Sequence, residues 1–337
     1  MAFAPGRANL IGEHTDYNRG LCLPFAVLEG VTVTARRTRG DALEVHATTL
    51  GEVGLFELPG RRREQGWRAF VRGAVQELGE AGVEVPPARV EITSDLPIGA
   101  GLSSSAALSV ALCLAFSALA GAPDPDRVEL ALLCSRIENR WVGAQTGLLD
   151  QMASLFGQPG QAARIDMRSM EVAPVPLDVG GAVLAAVDTG VSRELAASGY
   201  NARREECRAA CGALGLRTLR DALPEDAERL PDPLGRRLRH VVGENERVDA
   251  MVAALWLGDA PAVAQLLDAS HVSLRDDFEV SSPEVEASLE RVRAAGALGA
   301  RLMGGGFGGH LLVLFPPEVP LPEGARPLRA GPGARVL

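Results

Sequence analysis

Residues 97–106 read Pro97-Ile98-Gly99-Ala100-Gly101-Leu102-Ser103-Ser104-Ser105-Ala106. They stand between two segments of opposite character. Ala88 to Ser94 has the alternation of a strand. Ser103 to Leu119 is apolar nearly all round, which predicts a buried helix ended by Gly121. Leu96 to Gly101 is then a loop that delivers the chain to a helix N-terminus. Gly99 and Gly101 let backbone N–H groups approach an anion with no Cβ in the way. The helix adds the positive end of its dipole. The three hydroxyls can bind phosphate oxygens or a magnesium ion, which prefers hard oxygen ligands. A flexible linker would not run into a long apolar helix, and an ordinary cap needs only one serine. The loop therefore reads as a phosphate cradle. It is not a dinucleotide fingerprint, because Ser104 stands where the third glycine would be.

Two further stretches concentrate chemistry. Gly6-Arg7-Ala8-Asn9-Leu10-Ile11-Gly12-Glu13-His14-Thr15-Asp16-Tyr17-Asn18 is dense in polar groups around an apolar Leu10-Ile11 anchor. Planar carboxylates and imidazoles bind sugar hydroxyls; taken one at a time, the same residues fit a solvated turn. Gly304-Gly305-Gly306-Phe307-Gly308-Gly309 lies between the strand-like runs Ala300 to Met303 and Leu311 to Phe315. It permits a tight turn against a ligand or another backbone, and alone it is a weak signal.

The composition removes several designs. The chain has 337 residues, 47% of them hydrophobic, enough for one large or two ordinary domains. Its 34 basic residues are all arginine, with no lysine anywhere. A Walker A loop and a protein-kinase fold both require a lysine, so both are excluded, as is a lysine Schiff base. Richness in Ala, Gly and Pro points to codon bias as the origin of this absence. A net charge of −9 argues against a general nucleic-acid or anionic-membrane binder. Two tyrosines and short clusters such as Arg61-Arg62-Arg63 make a poor nucleic-acid track. The five cysteines show no C-x-x-C spacing and no zinc-like pairing with histidine. With no signal segment ahead of Arg7 and no apolar run long enough to span a bilayer, a soluble cytoplasmic protein is expected.

Elsewhere the patterns alternate in type. Val27 to Leu58 reads as strands and hairpins, and Gly66 to Gly79 as a helix. Asp124-Pro125 is expected to open a helix, with Asp124 as cap, that carries Glu138. Ile165 to Val187 is strand-like. Helical patterns follow at Ala202 to Leu214, Leu238 to Leu257 and Pro283 to Ala295, the last capped by Ser282. The Pro- and Gly-rich tail after Pro316 is expected to be loosely ordered. Strands and helices mix without a βαβ repeat, which predicts an α+β chain of two lobes dividing near Ile165.

The three motifs, in this order, resemble those of the GHMP kinases, and Gly6 to Asn18 is close to the galactokinase signature within that family. The resemblance continues at Gly147-Leu148-Leu149-Asp150-Gln151, Gly199-Tyr200-Asn201-Ala202-Arg203-Arg204, Gly243 to Val248 and Ser270 to Asp277, and spans Pro5 to about Phe315. It implies the two-lobed GHMP fold: a mixed-sheet N-terminal domain, residues 1–165, a ferredoxin-like α+β C-terminal domain, residues 166–337, and an active site between them. It also implies ATP-dependent phosphorylation of the C1 hydroxyl of α-D-galactose. By the same resemblance Asp150 is catalytic, with Arg7 as its partner and stabiliser of the transferring charge. Glu13, His14, Thr15, Asp16, Gly147 and Tyr200 would bind the sugar. Gly99, Ala100, Gly101, Leu102, Ser103, Ser104 and Ser105 would cradle ATP, and Ser105 and Glu138 would hold Mg2+. The expected partners are small molecules, galactose and ATP, with no nucleic acid, no membrane, and a monomer as the expected state. Val187-Asp188-Thr189-Gly190-Val191 departs from an Asn-containing stretch common near the sugar in galactokinases, which leaves N-acetylgalactosamine, arabinose or a uronic acid as alternative substrates. A non-catalytic galactose and ATP sensor is the alternative outside enzymes; the complete Ser103-Ser104-Ser105-Ala106-Ala107 run speaks against it.

Overall fold

The computed structural model describes residues 1–60, 62–97, 101–144, 146–191 and 196–337, the last starting with backbone only over 196–198. In chain order the strands are β1 (Ala2–Asn9), β2 (Leu21–Cys22), β3 (Pro24–Arg37), β4 (Ala42–Ala47), β5 (Glu52–Glu57), β6 (Ala88–Ser94), β7 (Gln161–Asp166), β8 (Glu171–Pro176), β9 (Val183–Asp188), β10 (Gly299–Met303), β11 (His310–Phe315), β12 (Arg326–Pro327) and β13 (Arg335–Val336). The helices are α1 (Trp67–Glu80), α2 (Ser104–Ala120), α3 (Arg127–Arg136), α4 (Leu149–Phe156), α5 (Ala196–Leu214), α6 (Leu234–Leu257), α7 (Ala260–Asp276) and α8 (Pro283–Ala294).

A six-stranded sheet runs β13-β1-β3-β6-β4-β5, antiparallel except where β4 lies parallel to β6. This is the mixed sheet expected of the N-terminal lobe. Helix α2 lies against it as a nearly all-apolar rod, with Val110, Leu112 and Phe116 fully buried. Each such side chain contributes ~1.5–3 kcal/mol by leaving water. Ser109, in the middle of that helix, returns its hydroxyl to the Ala106 carbonyl at 3.0 Å, so its burial leaves no orphan group. Gly121 takes φ +76 at the helix end and its N–H closes on Ala118 and Ser117 carbonyls.

The second lobe holds the antiparallel sheet β10-β11-β9-β12. Counted along the chain, its strands lie in the order 4-1-3-2 of a ferredoxin-like sheet, although a loop rather than a helix joins the third to the fourth. Helix α6 belongs to both lobes. Its Leu238 and Val241 sit in the core of the second, whereas Val248, Met251 and Leu255 sit in the core of the first. Among the described residues no helix is long and apolar enough to cross a membrane.

Three expectations are corrected. Helix α3 begins at Arg127, not after Asp124: Asp126 is the cap, accepting from the Val128 and Glu129 amides at 2.9 and 3.0 Å. Glu138 then lies on a π-helical turn, Ile137–Val142, that prolongs α3. The tail after Pro316 is not loose. Gly331 donates to the Ala26 carbonyl at 2.8 Å and Ala334 to the Ser154 carbonyl at 2.8 Å, and β13 pairs with β1 through Ala2↔Val336 and Phe3↔Arg335.

Candidate active site

Strand β1 brings Arg7 to the centre of the molecule. The β1–β3 register slips between Pro5 and Arg7, a bulge that re-aims the side chain. Gly6 allows the backbone at Leu102 to lie close over the strand, since a Cβ there would lie 2.6 Å from the Leu102 carbonyl oxygen. The Arg7 amide donates to that same oxygen at 3.0 Å. Its guanidinium donates from Nε to Asp150 Oδ1 at 2.7 Å and from Nη1 to the Gly101 carbonyl at 2.7 Å. Asp150, in the first turn of α4, also accepts from the Ser103 hydroxyl on Oδ2 at 2.5 Å. Ser103 holds the left-handed conformation, φ 56, before the first residue of α2, and its hydroxyl caps nothing. Its side chain is given to Asp150 instead. The backbone strain at this position, of order 1–3 kcal/mol, coincides with the contact to Asp150.

The opposite wall comes from residues 12–18. Leu10 and Ile11 are fully buried and anchor a tight turn with Gly12 at φ +96 and His14 at φ 62. This is no solvated turn: Glu13 and His14 are 6% and 4% exposed. Asn18 donates to the His14 carbonyl at 2.9 Å and closes the turn. His14 shares a hydrogen bond with the Tyr17 hydroxyl through Nδ1 at 2.9 Å, and its ring packs near Tyr200 and Phe278. Burial, with His240 and Arg203 adding to it, holds the imidazole well below its ordinary pKa, so it stays neutral. Its Nε2 is buried without a partner among the described residues, an orphan of the kind a bound hydroxyl would satisfy. Burial pushes Asp16 up to about 6, with the charges of Asp150 and Glu13 adding to it and backbone hydrogen bonds at Tyr17 and Leu149 opposing it. Gly147 faces Asp16 so closely that a Cβ would lie 1.6 Å from Oδ2.

Between these walls lies a cleft of about 490 Å3. It is lined by Arg7, Glu13, His14, Asp16, Gly147, Asp150 and Tyr200, by Gly101 to Ser105, and by Gly304 to Gly306 from the turn between β10 and β11. The three sequence motifs therefore meet. Glu138 stands just behind, 2% exposed, with Oε2 accepting from Thr146 at 2.8 Å and Oε1 buried without a partner among the described residues. Burial, and then the charge of Asp150, push its carboxyl up to about 7, while Thr146 and Ser105 pull it back. An orphaned carboxylate oxygen near a serine hydroxyl, at the mouth of a phosphate loop, is a donor set of the kind magnesium takes with substrate phosphates. Among the described residues no group of three or more His, Cys, Asp or Glu could hold a metal by itself.

The model of the galactokinase galactose-binding signature matches residues 1–37, that of the GHMP kinase N-terminal domain residues 69–158, and that of the GHMP C-terminal domain residues 251–332. A galactokinase of Thermotoga neapolitana is 40% identical over 92% of this chain and 88% of its own length. The chain belongs to the galactokinase family. A galactokinase of Roseiflexus is 43% identical, over 92% of this chain and 82% of its own, and one of Mycobacterium bovis is 43% identical, over 94% and 88%. Among solved structures, Lactococcus lactis galactokinase complexed with galactose superposes with a TM-score of 0.92, 31% identity, and coverage of 100% of this chain and 94% of that one. Methanococcus jannaschii mevalonate kinase, at 17% identity and a TM-score of 0.68 over 94% and 90% of the two chains, shares the fold.

Not every residue expected at the family's site reaches the cleft. Thr15 does not line it: its hydroxyl donates to the Gly12 and Leu21 carbonyls at 2.8 and 2.6 Å, and it is fully buried, so it holds the turn rather than a ligand. Gly99 and Ala100 lie outside the described residues. Asp188, Thr189 and Gly190 are likewise not among the lining residues. Thr189 braces the glycine turn through Gly309, its hydroxyl donating to that carbonyl at 2.7 Å. The sequence reading assigned no role to Thr146, Asn201 or Arg301. Thr146 and Asn201 line the cleft beside residues that were picked out. Arg301 carried a usable signal: it is a charged residue in the run Ala300 to Met303, which is otherwise apolar and entirely buried.

Proposed function

We propose that the chain transfers the γ-phosphoryl group of ATP to the C1 hydroxyl of α-D-galactose, releasing galactose 1-phosphate and ADP. The observation that carries the reading is the position of Asp150. It is fixed by Arg7 on one oxygen and Ser103 on the other, at the junction of the phosphate loop and the galactose-binding signature. Backbone amides of Gly101 to Ser105 and the dipole of α2 receive the triphosphate. Glu13, His14, Asp16 and Tyr200 hold the sugar hydroxyls, and Gly147 keeps room for Asp16. Phosphoryl transfer passes through a loose transition state, so positioning and charge neutralisation do most of the work. Asp150 aims the anomeric oxygen at the γ-phosphorus and takes its proton late, as the O–P bond forms and the bond to ADP breaks. The Arg7 guanidinium, held rigidly by Asp150 and Gly101, presents fixed positive charge to the phosphoryl oxygens. Ser105 and Glu138 would hold magnesium, whose charge offsets that of the triphosphate.

The test is ADP release against a panel of galactose, N-acetylgalactosamine, arabinose, galacturonate and glucose. Galactose is expected to turn over and glucose to be inert. Brisk turnover of another sugar with galactose inert would overturn the assignment, and binding without ADP release would make the chain a sensor. Asp150→Asn is expected to lower kcat by ~10²–10⁴-fold; near wild-type turnover would refute the mechanism.

A further inference from the structure

Arg301 lies in the middle of β10, paired with Leu312 of β11, and its side chain is fully buried. It reaches out of its own lobe. Nη2 donates to Glu13 Oε1 at 2.5 Å and to the Asn9 carbonyl at 2.9 Å. Nη1 donates to the Ser270 hydroxyl at 3.3 Å and lies 3.9 Å from Glu244 Oε1. Glu13 Oε1 takes a second bond from the Gly304 amide at 2.7 Å, at the start of the glycine turn where φ is +87. Both bonds fall on the same oxygen. Among the described residues none falls on Oε2, which leaves that oxygen for a ligand in the cleft that Glu13 lines.

The other carboxylate beside Arg301 has closer partners of its own. Glu244 accepts from Arg247 at 2.6 Å, from Ser270 at 2.7 Å and from the Gly12 amide at 3.0 Å. Burial alone would raise its pKa, but Arg247, then His240 and Arg301, outweigh that and bring it down to about 2. Among the described residues Glu13, by contrast, forms an ion pair with Arg301 alone. A buried ion pair is a poor way to gain stability, because well-packed apolar side chains of similar volume commonly do as well or better. Its geometry, however, fixes the direction of a carboxylate within a few tenths of an ångström, which a ligand site needs.

We propose that Arg301 is a positioning residue for the sugar, acting through Glu13, and that the glycine turn serves the sugar by donating its Gly304 amide to the same oxygen. The proposal rests on Glu13 contacting galactose. It gives the third motif a task on the sugar side of the cleft.

The test compares Arg301→Met, Arg301→Lys, Glu13→Gln and the double variant Glu13→Gln/Arg301→Met, reading galactose and ATP KM values, kcat, and galactose binding by calorimetry. Arg301→Met is expected to raise the galactose KM by up to about 100-fold, the scale that a 1 Å misplacement can cost, with ATP KM within twofold. Arg301→Lys keeps the charge but loses the fork, and recovers part of the affinity. The double variant should bind galactose no worse than Glu13→Gln alone. A wild-type galactose KM in Arg301→Met, parallel losses for ATP and galactose, or multiplying losses in the double variant would overturn the proposal. If Arg301→Met does not fold, Arg301→Lys decides: a raised galactose KM with unchanged ATP KM supports the role, and an unchanged galactose KM refutes it. Wild-type galactose affinity in Glu13→Gln would instead sink the placement of Glu13 at the sugar, and this inference with it.

Discussion

Asp16→Asn should make the sugar-free protein more stable and useless to galactose at the same time. The Asp16 carboxyl titrates at about 6 in the folded chain against 3.8 in the ordinary state, chiefly because it is buried, with the charges of Asp150 and Glu13 adding to the effect. A raised pKa means that the folded protein holds this proton more tightly than the unfolded chain. Between pH 3.8 and about 6 the folded state therefore binds more protons, and stability falls as pH rises through that window. Above it the ionised carboxylate costs, at 1.36 kcal/mol for each pH unit between the two values, about 3 kcal/mol. Because Asp16 fronts the water of the cleft, roughly 1–3 kcal/mol is the range to expect. Asparagine keeps an acceptor oxygen for the backbone and removes the charge.

The assay is urea unfolding of the sugar-free protein and of Asp16→Asn at pH 8 and pH 4, compared at equal m-value. The variant should gain at pH 8 and lose most of its advantage at pH 4, where the folded wild-type carboxyl is protonated. Galactose binding, measured by calorimetry without ATP, should be strong in the wild type at pH 8, weaken as pH falls through about 6, and be lost in the variant at all pH values. Omitting ATP matters, because Glu138, pushed up to about 7, titrates on the nucleotide side of the cleft. A variant less stable at pH 8, or equally stabilised at both pH values, would refute the assignment of charge repulsion and burial as the cause.

Two further outcomes are specific to the geometry. Gly147→Ala places a Cβ 1.6 Å from Asp16 Oδ2, so the carboxylate must move; initial-rate kinetics should show the galactose KM raised by about 100-fold with ATP KM unchanged. Ser103→Ala removes the hydroxyl from Asp150 Oδ2 and leaves Arg7 in place; kcat should fall ~10–100-fold, the loss typical of an outer-shell partner, with the unfolding midpoint nearly unchanged.

What the sequence revealed and concealed follows from pattern length and from partners. Helix α2 and strand β6 were legible because each is long, regular and bounded by glycine or by a loop. Ser282 was recognised as the cap of α8 because a proline stands directly after it, and its hydroxyl does accept from Val285. Strand β1 was hidden. Its sequence contains Pro5 and Gly6, and almost every residue is buried, so neither alternation nor branched residues mark it. Helix α4 has only 8 residues, too short for its periodicity to mark it as a helix; the motif around Asp150 marked the segment and not its conformation. At α3 two aspartates competed for the cap, and local sequence does not decide between Asp124 and Asp126. The candidate site was legible in its residue types. The division of labour within it was not, because Thr15 and Asp16 are neighbours in sequence yet one faces the turn interior and the other the cleft. Contacts between lobes, such as Arg301 with Glu13 across 288 positions, leave no periodic trace in a single chain.

The missing lysines take on a meaning here that composition alone did not give them. In other phosphotransferases a lysine offers the phosphates a mobile point charge. Here Arg7 does two fixed tasks at once: it directs Nε to a carboxylate and Nη1 to a carbonyl, at 2.7 Å each, while β1 holds its backbone against Leu102. Arg301 faces the same demand, bridging Glu13, a carbonyl and a serine from inside a sheet. An ammonium at the end of a flexible stem could match neither planar arrangement, and when buried it would give up its proton more readily than a guanidinium. A compositional drift from lysine to arginine therefore costs this fold nothing at its two central cations, because both positions call for a rigid, permanently charged fork.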